Sequence, residues 1–350
     1  MRIVVTGSLA YDYIMNFPGY FSDHILPDKV HMLTVSFLVD SMRRMRGGVA
    51  GNIAYSLALL GARPLVVATA GQDFGEYRAW MEQHGIDTSG IVEIADEFTA
   101  SCFINTDRAN NQIVAFYTGA MAYARELSLM GLGLGPDDLV IISPTDPEAM
   151  ARYAGECRQL GVPFLFDPGK QTPRLEPEQI LNGLDGASVL IGNDYEFAMM
   201  AQKTGCSEAE LIAAAPITVV TRGEQGSTIY LQPQQRTPRW ATRIHRAHDE
   251  ALWAVNGQGI AIPIAPVAEV RDPTGAGDAY LAGLVFGLAR GFALPVVGRI
   301  AALTAAYAIE QRGCQEHHFT LAEFVARYIS VFGPCPEVEA LAVELQNAEY

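Results

Sequence analysis

The sequence predicts an α/β fold, a three-layer sandwich whose mostly parallel central sheet is flanked by helices, with a small β-sheet lid added. Three observations predict it. Short apolar runs such as Ile3-Val4-Val5 and Phe164-Leu165-Phe166 alternate with stretches of helical period through most of the chain. Two β-rich pieces, residues 32–40 and 98–117, interrupt that alternation. Glycines stand where helices should stop, as at Gly61, Gly85 and Gly161.

In chain order, residues 2–6 form a buried strand ending in Gly7-Ser8, with Asp12 just beyond it. Ligands in open α/β sheets bind at the carboxyl ends of strands, so Asp12 is well placed, although a lone Asp there also suits a turn. Phe17-Pro18-Gly19 and Leu26-Pro27-Asp28 are turn chemistry. Residues 32–40 put Leu33, Val35, Phe37 and Val39 on one face, which predicts a strand. Residues 98–106 and 112–117 are two further strands joined as a hairpin by residues 107–111. Elsewhere helices are expected at 53–60, 147–160, 194–203, 208–214, 279–290, 296–311, 321–332 and 338–346, with one more between Gly75 and Gly85. Strands are expected at 64–68, 139–143, 164–166, 188–191 and 218–221. The division that follows is a large α/β unit of residues 1–12, 48–97 and 120–350, and a lid of residues 13–47 and 98–119.

At 350 residues the chain can hold one large domain with an appendage, or two domains. Its composition, 49% hydrophobic and 18% charged, is that of a compact globular protein. A formal net charge of −15 argues against nucleic acid or an anionic membrane as a partner. The short basic run Arg43-Arg44-Met45-Arg46 reads as a solvated strand end or a phosphate neighbour. Five cysteines without a Cys-x-x-Cys pair suggest reduced thiols and a cytoplasmic protein. The pairs His317-His318 and His245/His248 lack metal-ligand spacing and are expected at the surface. The apolar start at Ile3-Val4-Val5 is too short for a signal peptide, and no apolar run approaches a membrane span.

The chemistry concentrates in Arg271-Asp272-Pro273-Thr274-Gly275-Ala276-Gly277-Asp278, directly before a helical run. Gly-Ala-Gly carries almost no side chain, so a ligand can meet the backbone closely. Amides aimed out of a helix N-terminus make an anion site. A simple phosphate loop would gain nothing from a carboxylate at its end. An Asp beside an anion hole makes sense if it takes a proton from a hydroxyl that attacks a phosphoryl group. An N-capping Asp after a glycine-rich turn is the plainer alternative.

This run resembles the C-terminal motif, Asp-x-Thr-Gly-Ala-Gly-Asp, of the ribokinase-like sugar and nucleoside kinases, also called the phosphofructokinase-B type. The resemblance implies Asp278 as catalytic base and the amides of Gly275, Ala276 and Gly277 as the anion hole. Three further elements stand in the family's order. Gly47-Gly48 with Asn52 is similar to its Gly-Gly…Asn motif, which implies that Asp12, Gly47, Gly48 and Asn52 hold sugar hydroxyls, with Ser8 beside them. Asn193-Asp194-Tyr195-Glu196 is similar to its Asn-x-x-Glu element, which implies Asn193 at the nucleotide and Glu196 in the magnesium–phosphate network. Thr221-Arg222-Gly223-Glu224-Gln225-Gly226 resembles its Thr-x-Gly-x-x-Gly nucleotide loop, implying roles for Thr221, Gly223 and Gly226. Arg222 stands where the family usually has Lys, and no Walker-type loop is present.

The resemblance covers nearly the whole chain and implies a ribokinase-like fold that transfers the γ-phosphoryl of ATP, with Mg2+, to a primary hydroxyl. Apolar and aromatic lid residues, among them Phe37 and Phe116, would suit a flat base or the lid's own packing. Residues 47–55 and the turn Arg312-Gly313-Cys314 look more like prokaryotic adenosine kinases than ribokinases. The expectation is therefore an adenosine kinase, with ribokinase or another sugar kinase as runner-up, and a silent nucleoside-binding protein as the rival from another class. Asp272 with the loop near Gly313 is the place for a monovalent cation, as in some ribokinases. A monomer, or a homodimer through the lid, is expected.

Overall fold

A computed structural model of the chain describes residues 1–25, 34–232 and 259–348. His245, His248 and the turn at Leu26-Pro27-Asp28 lie outside the described residues. The main sheet has nine strands. In chain order they are β1 (Ile3–Thr6), β4 (Leu65–Gly71), β5 (Asp87–Ile94), β8 (Leu139–Ile142), β9 (Phe164–Phe166), β10 (Val189–Asn193), β11 (Ile217–Thr221), β12 (Ser227–Leu231) and β13 (Ile260–Ile262). Their order in space is β13-β12-β11-β10-β9-β8-β1-β4-β5, parallel except at β12 and β13. A separate four-stranded sheet runs β3-β2-β6-β7, with β2 (Ala10–Asn16), β3 (Ser41–Gly47), β6 (Ala100–Thr106) and β7 (Gln112–Tyr117).

The central strands are apolar on both faces because helices cover both, so β1 and β8 are buried at every residue. Alternate residues enter different cores. Ile3, Val5, Leu139 and Ile141 pack with α1 (Val49–Leu59), α7 (Ala276–Arg290) and α8 (Leu294–Ile309), whereas Val4, Val140 and Ile142 pack with α3 (Pro147–Leu160) and α5 (Asp194–Thr204). The remaining helices among the described residues are α2 (Gly75–Gln83), α4 (Pro177–Leu184), α6 (Glu208–Ile212), α9 (Leu321–Phe332) and α10 (Pro336–Ala348). Their ends carry the expected chemistry. Asp146 caps α3 ahead of Pro147, and Gly161 ends it in the left-handed region at φ 65°.

Three expectations change. Residues 34–40 show the period-two alternation of exposure read from the sequence, but they pair with no strand. The partner of β2 is the basic run that follows, residues 41–47, in full antiparallel register. Phe37 packs instead against the rings of Phe17, Phe21 and His24. Asp12 is not in a loop after β1 but inside β2, opposite Met45 and Cys102, so the chain enters the small sheet by Ala10. His317 is fully buried rather than superficial. Its Nε2 meets the Ser56 hydroxyl at 3.2 Å, and burial lowers its pKa to about 4. His318 is exposed.

Candidate active site

The sheet order reverses at β1, which has β4 on one side and β8 on the other. Ligand sites of open α/β sheets open at such a switch point, beyond the carboxyl ends of the strands. Here a cavity of about 700 Å³ opens there. Its floor is built from the loops after five strands. Ser8 follows β1, Pro144 follows β8, Asp167 follows β9, Asn193 ends β10 and Thr221 ends β11. The small sheet makes the opposite wall with Asp12, Cys102, Ile104, Val114 and Phe116.

Two helix N-termini meet in this cavity. Ser8 seats the first, since its hydroxyl oxygen accepts from the Val49 amide at 3.1 Å and its carbonyl from the Ala50 amide at 3.0 Å. Gly48 makes the entry to α1 at φ 86°, where a Cβ would lie 2.5 Å from the Ser8 carbonyl. At Gly47 a Cβ would lie 2.5 Å from Asp12 Oδ2, so the carboxylate keeps its place only beside a glycine. The second helix, α7, begins after Gly275 in the left-handed conformation at φ 80°, and Gly275 and Gly277 line the cavity. Ala276 is not in the lining, and its amide donates to the Pro273 carbonyl at 3.2 Å. Asp272 clamps this loop by accepting from the amides of Thr274 and Gly313, both at 3.0 Å.

Asp278 lies in the first turn of α7 and accepts from Asn52 Nδ2 of α1 at 2.7 Å. Desolvation raises its pKa to about 6; the Asn52 bond and Lys170 oppose the rise, while Glu196 and Asp12 add to it. Burial likewise lifts Asp12 to about 6, against Lys170. Glu196 is raised by burial against the Asn193 amide and Lys170. It closes a capping box on α5, in which Glu196 Oε2 accepts from the Asn193 amide and Asn193 Oδ1 from the Glu196 amide, both at 2.8 Å. Carboxyls thus converge on one exposed ammonium group, and those raised to about 6 are mostly ionised at neutral pH.

Ser8, Asp12, Gly48, Asn52, Phe116, Asn193, Glu196, Thr221, Gly275, Gly277 and Asp278 all line the cavity. Gly47, Phe37, Ala276, Gly223 and Gly226 do not. Gly223 and Gly226 shape the turn from β11 to β12, where the Arg222 amide donates to the Gly226 carbonyl at 2.8 Å. The Arg222 side chain bonds Thr228 Oγ1 at 2.8 Å, within that same hairpin.

Sequence reasoning misses Asp167, Lys170 and Arg174, which line the floor. The Asp167 carboxyl is pushed well above its usual range by desolvation and by Glu196 and Asp278. The chain does carry a signal for it, because Asp167-Pro168-Gly169 directly follows the strand Phe164–Phe166. Among the described residues no three His, Cys, Asp or Glu side chains cluster as a metal cage. The arrangement can hold a polyanion against α7, receive hydroxyls on Asp12 and Asn52, and take a proton at Asp278.

A model of the pfkB family of carbohydrate kinases matches residues 2–319. A nucleoside kinase of Methanothermobacter thermautotrophicus is 29% identical over 339 residues, covering 96% of this chain and 98% of that one. The ligand-free nucleoside kinase of Burkholderia thailandensis is 36% identical with a TM-score of 0.78, covering 93% of this chain and all of its own. The same protein in complex with inosine is 34% identical with a TM-score of 0.76, covering 95% of this chain and 99% of its own. The nucleoside kinase of Methanocaldococcus jannaschii, described as an archaeal member of the ribokinase family, is 27% identical with a TM-score of 0.79, over 94% and 99% of the two chains.

Proposed function

The chain belongs to the pfkB family of carbohydrate kinases, and on that premise we propose that it moves the γ-phosphoryl group of ATP to the 5′-hydroxyl of a nucleoside, adenosine before others. One observation carries this reading. Asp278 stands at an anion-receiving helix start, bonded to Asn52, in a cavity whose opposite wall is apolar apart from Asp12. A carboxylate there would repel a bound phosphate unless it served the incoming hydroxyl. The nucleoside kinases among the similar proteins, one of them bound to inosine, support the acceptor class. Adenosine is favoured by the run Gly47–Tyr55 and the turn Arg312-Gly313-Cys314. Inosine is the second reading, because the relative at 34% identity binds it.

In this proposal the four-stranded sheet is the lid. Asp12, Asn52 and the backbone at Gly47-Gly48 orient the ribose hydroxyls, and Phe116, Val114, Ile104 and Cys102 face the base. Asn193, Thr221 and the turn at Gly223–Gly226 border the ATP. The 5′-oxygen attacks the γ-phosphorus as the bond to the β-phosphate oxygen breaks, ADP leaves, and the hydroxyl proton passes to Asp278. The amides of Gly275 and Gly277, at the N-terminus of α7, face the charge on the phosphoryl oxygens, and Lys170 adds positive charge on the same floor. Asp272, beside Gly313, is the proposed anchor of a monovalent cation.

Magnesium fits the donors present. A cation that keeps most of its waters and takes oxygens from the nucleotide needs few carboxylates, and Glu196, its Oε2 held by the Asn193 amide, would be the residue to meet its water shell. When bound, the ion would offset phosphate charge.

The test is coupled ADP release with adenosine present and absent. Asp278→Asn should lower turnover by about 10²–10⁴-fold while melting as cooperatively as the parent. Turnover near the parent's would overturn the assignment of the base.

A further inference from the structure

A buried chain of hydrogen bonds runs behind the cavity, and the phosphotransfer reading uses only its last link, from Asn52 to Asp278. It starts at the Gly47 carbonyl, the last residue of the small sheet's β3. The Tyr77 hydroxyl of α2 donates to that carbonyl at 2.9 Å. Gln315 Nε2, from the segment between α8 and α9, donates to the Tyr77 oxygen at 2.5 Å and to Asn52 Oδ1 at 2.8 Å. Asn52 Nδ2 then donates to Asp278 Oδ2 at 2.7 Å. Tyr77, Gln315 and Asn52 are 1%, 2% and 5% exposed, so water does not compete for these groups.

We propose that Tyr77 and Gln315 are positioning residues whose hydrogen bonds, oriented from the Gly47 carbonyl, keep the Asn52 amide pointing its donor at Asp278. The direction follows from what each group can do. A carbonyl only accepts, so the Tyr77 proton goes to Gly47 and its oxygen must accept. Only the NH2 end of Gln315 can supply that oxygen, and its second proton then faces Asn52. Asn52 must present Oδ1 to it, which leaves Nδ2 for the carboxylate. The opposite direction would aim Asn52 Oδ1 at Asp278 Oδ2, two acceptors facing each other. The molecule accepts a cost for this order, since buried Gln315 Oε1 meets no hydrogen-bond partner among the described residues. Gly51 of α1 makes room for it, because a Cβ there would collide with the Tyr77 hydroxyl and lie 2.9 Å from Gln315 Nε2. The charged groups acting on Asp278 from other elements are Lys170, Glu196, Asp12 and Asp167, whereas Tyr77 and Gln315 bond to Gly47, Asn52 and each other.

The role as stated rests on the phosphotransfer reading, and the test separates the two. Tyr77→Phe and Gln315→Leu should each lower kcat about 10-fold, with a smaller rise in the nucleoside KM because Asp12 still holds the ribose. In an Asn52→Ala background neither should lower kcat further. Equal losses in both backgrounds would mark a purely structural role and overturn the proposal, as would unchanged kcat in both variants. A second readout needs no turnover: the Asn52 side-chain NH2 resonance, identified by its loss in Asn52→Ala, should move in Tyr77→Phe. An unmoved resonance overturns the relay whether or not phosphate is transferred. A parent protein that phosphorylates no acceptor overturns the reaction and leaves the resonance to decide the hydrogen-bond order.

Discussion

At the scale of single residues, the site's behaviour with pH follows from carboxyls held partly out of water. The Asp278 pKa rises from 3.8 to about 6 because its charge is desolvated, and the Asn52 donor and Lys170 limit that rise. As the proposed base, Asp278 must be ionised to accept a proton, so kcat should climb about tenfold per pH unit below 6 and level off above 7. The same shift has a stability consequence of definite sign. Between pH 4 and 6 the folded state binds the Asp278 proton more tightly than the unfolded chain does. Its contribution to stability therefore declines across that window and stays low above it. Asp278→Asn should then melt higher than the parent at pH 8, with the advantage gone near pH 4. Equal melting temperatures at pH 8 would contradict the desolvated carboxylate. His317 acts oppositely, because burial lowers its pKa to about 4. The fold loses what the neutral ring contributes as pH falls from about 6.5 through 4.

Among elements, α1 joins most parts of the site. Its first turn carries Asn52, its entry at Gly48 touches the loop after β1, and Gly51 faces Tyr77 and Gln315. An alanine in a helix interior is usually about 1 kcal/mol better than glycine. At Gly51 that gain meets a buried tyrosine ring, and overpacking of this kind costs about 1–3 kcal/mol. Gly51→Ala should therefore lower the denaturant midpoint instead of raising it, and lower kcat with it. Other elements are legible in the amino-acid pattern alone. The strand Phe164–Phe166 and the helices Pro147–Leu160 and Leu321–Phe332 have the bounds their patterns indicate, because apolar period, caps and glycine stops agree there. Several elements escape such a reading, β2, β3 and β12 among them. The edge strand β5 carries Asp87, Ser89 and Gly90 among few apolar residues, α4 spans only eight residues, and β13 has three. Residues 34–40 mislead for a different reason: their alternation is real, but Asn16 and its neighbours in β2 already pair with residues 41–47.

For the whole molecule, the topology gathers side chains that lie far apart in sequence. Asn52 and Asp278 are 226 positions apart and meet at 2.7 Å because α1 and α7 start beside one another. A glycine-rich loop with its terminal Asp can be read locally, so that part of the site is visible in the chain. The relay through Tyr77 and Gln315 cannot be read that way, since an isolated Tyr and Gln carry no local signal and only packing makes them neighbours. The cavity's two walls differ in kind. The floor is polar and charged, whereas the wall from the small sheet offers Cys102, Ile104, Val114 and Phe116 beside Asp12, a surface suited to a flat base more than to a free sugar. The most direct measurement of this account is coupled ADP release with magnesium and ATP, comparing adenosine and inosine with ribose, fructose and fructose 6-phosphate. The kcat/KM for a nucleoside should stand at least about 100-fold above that for any of the sugars, with adenosine first. Turnover that favours a free sugar, or none with either nucleoside in a folded protein, would contradict it.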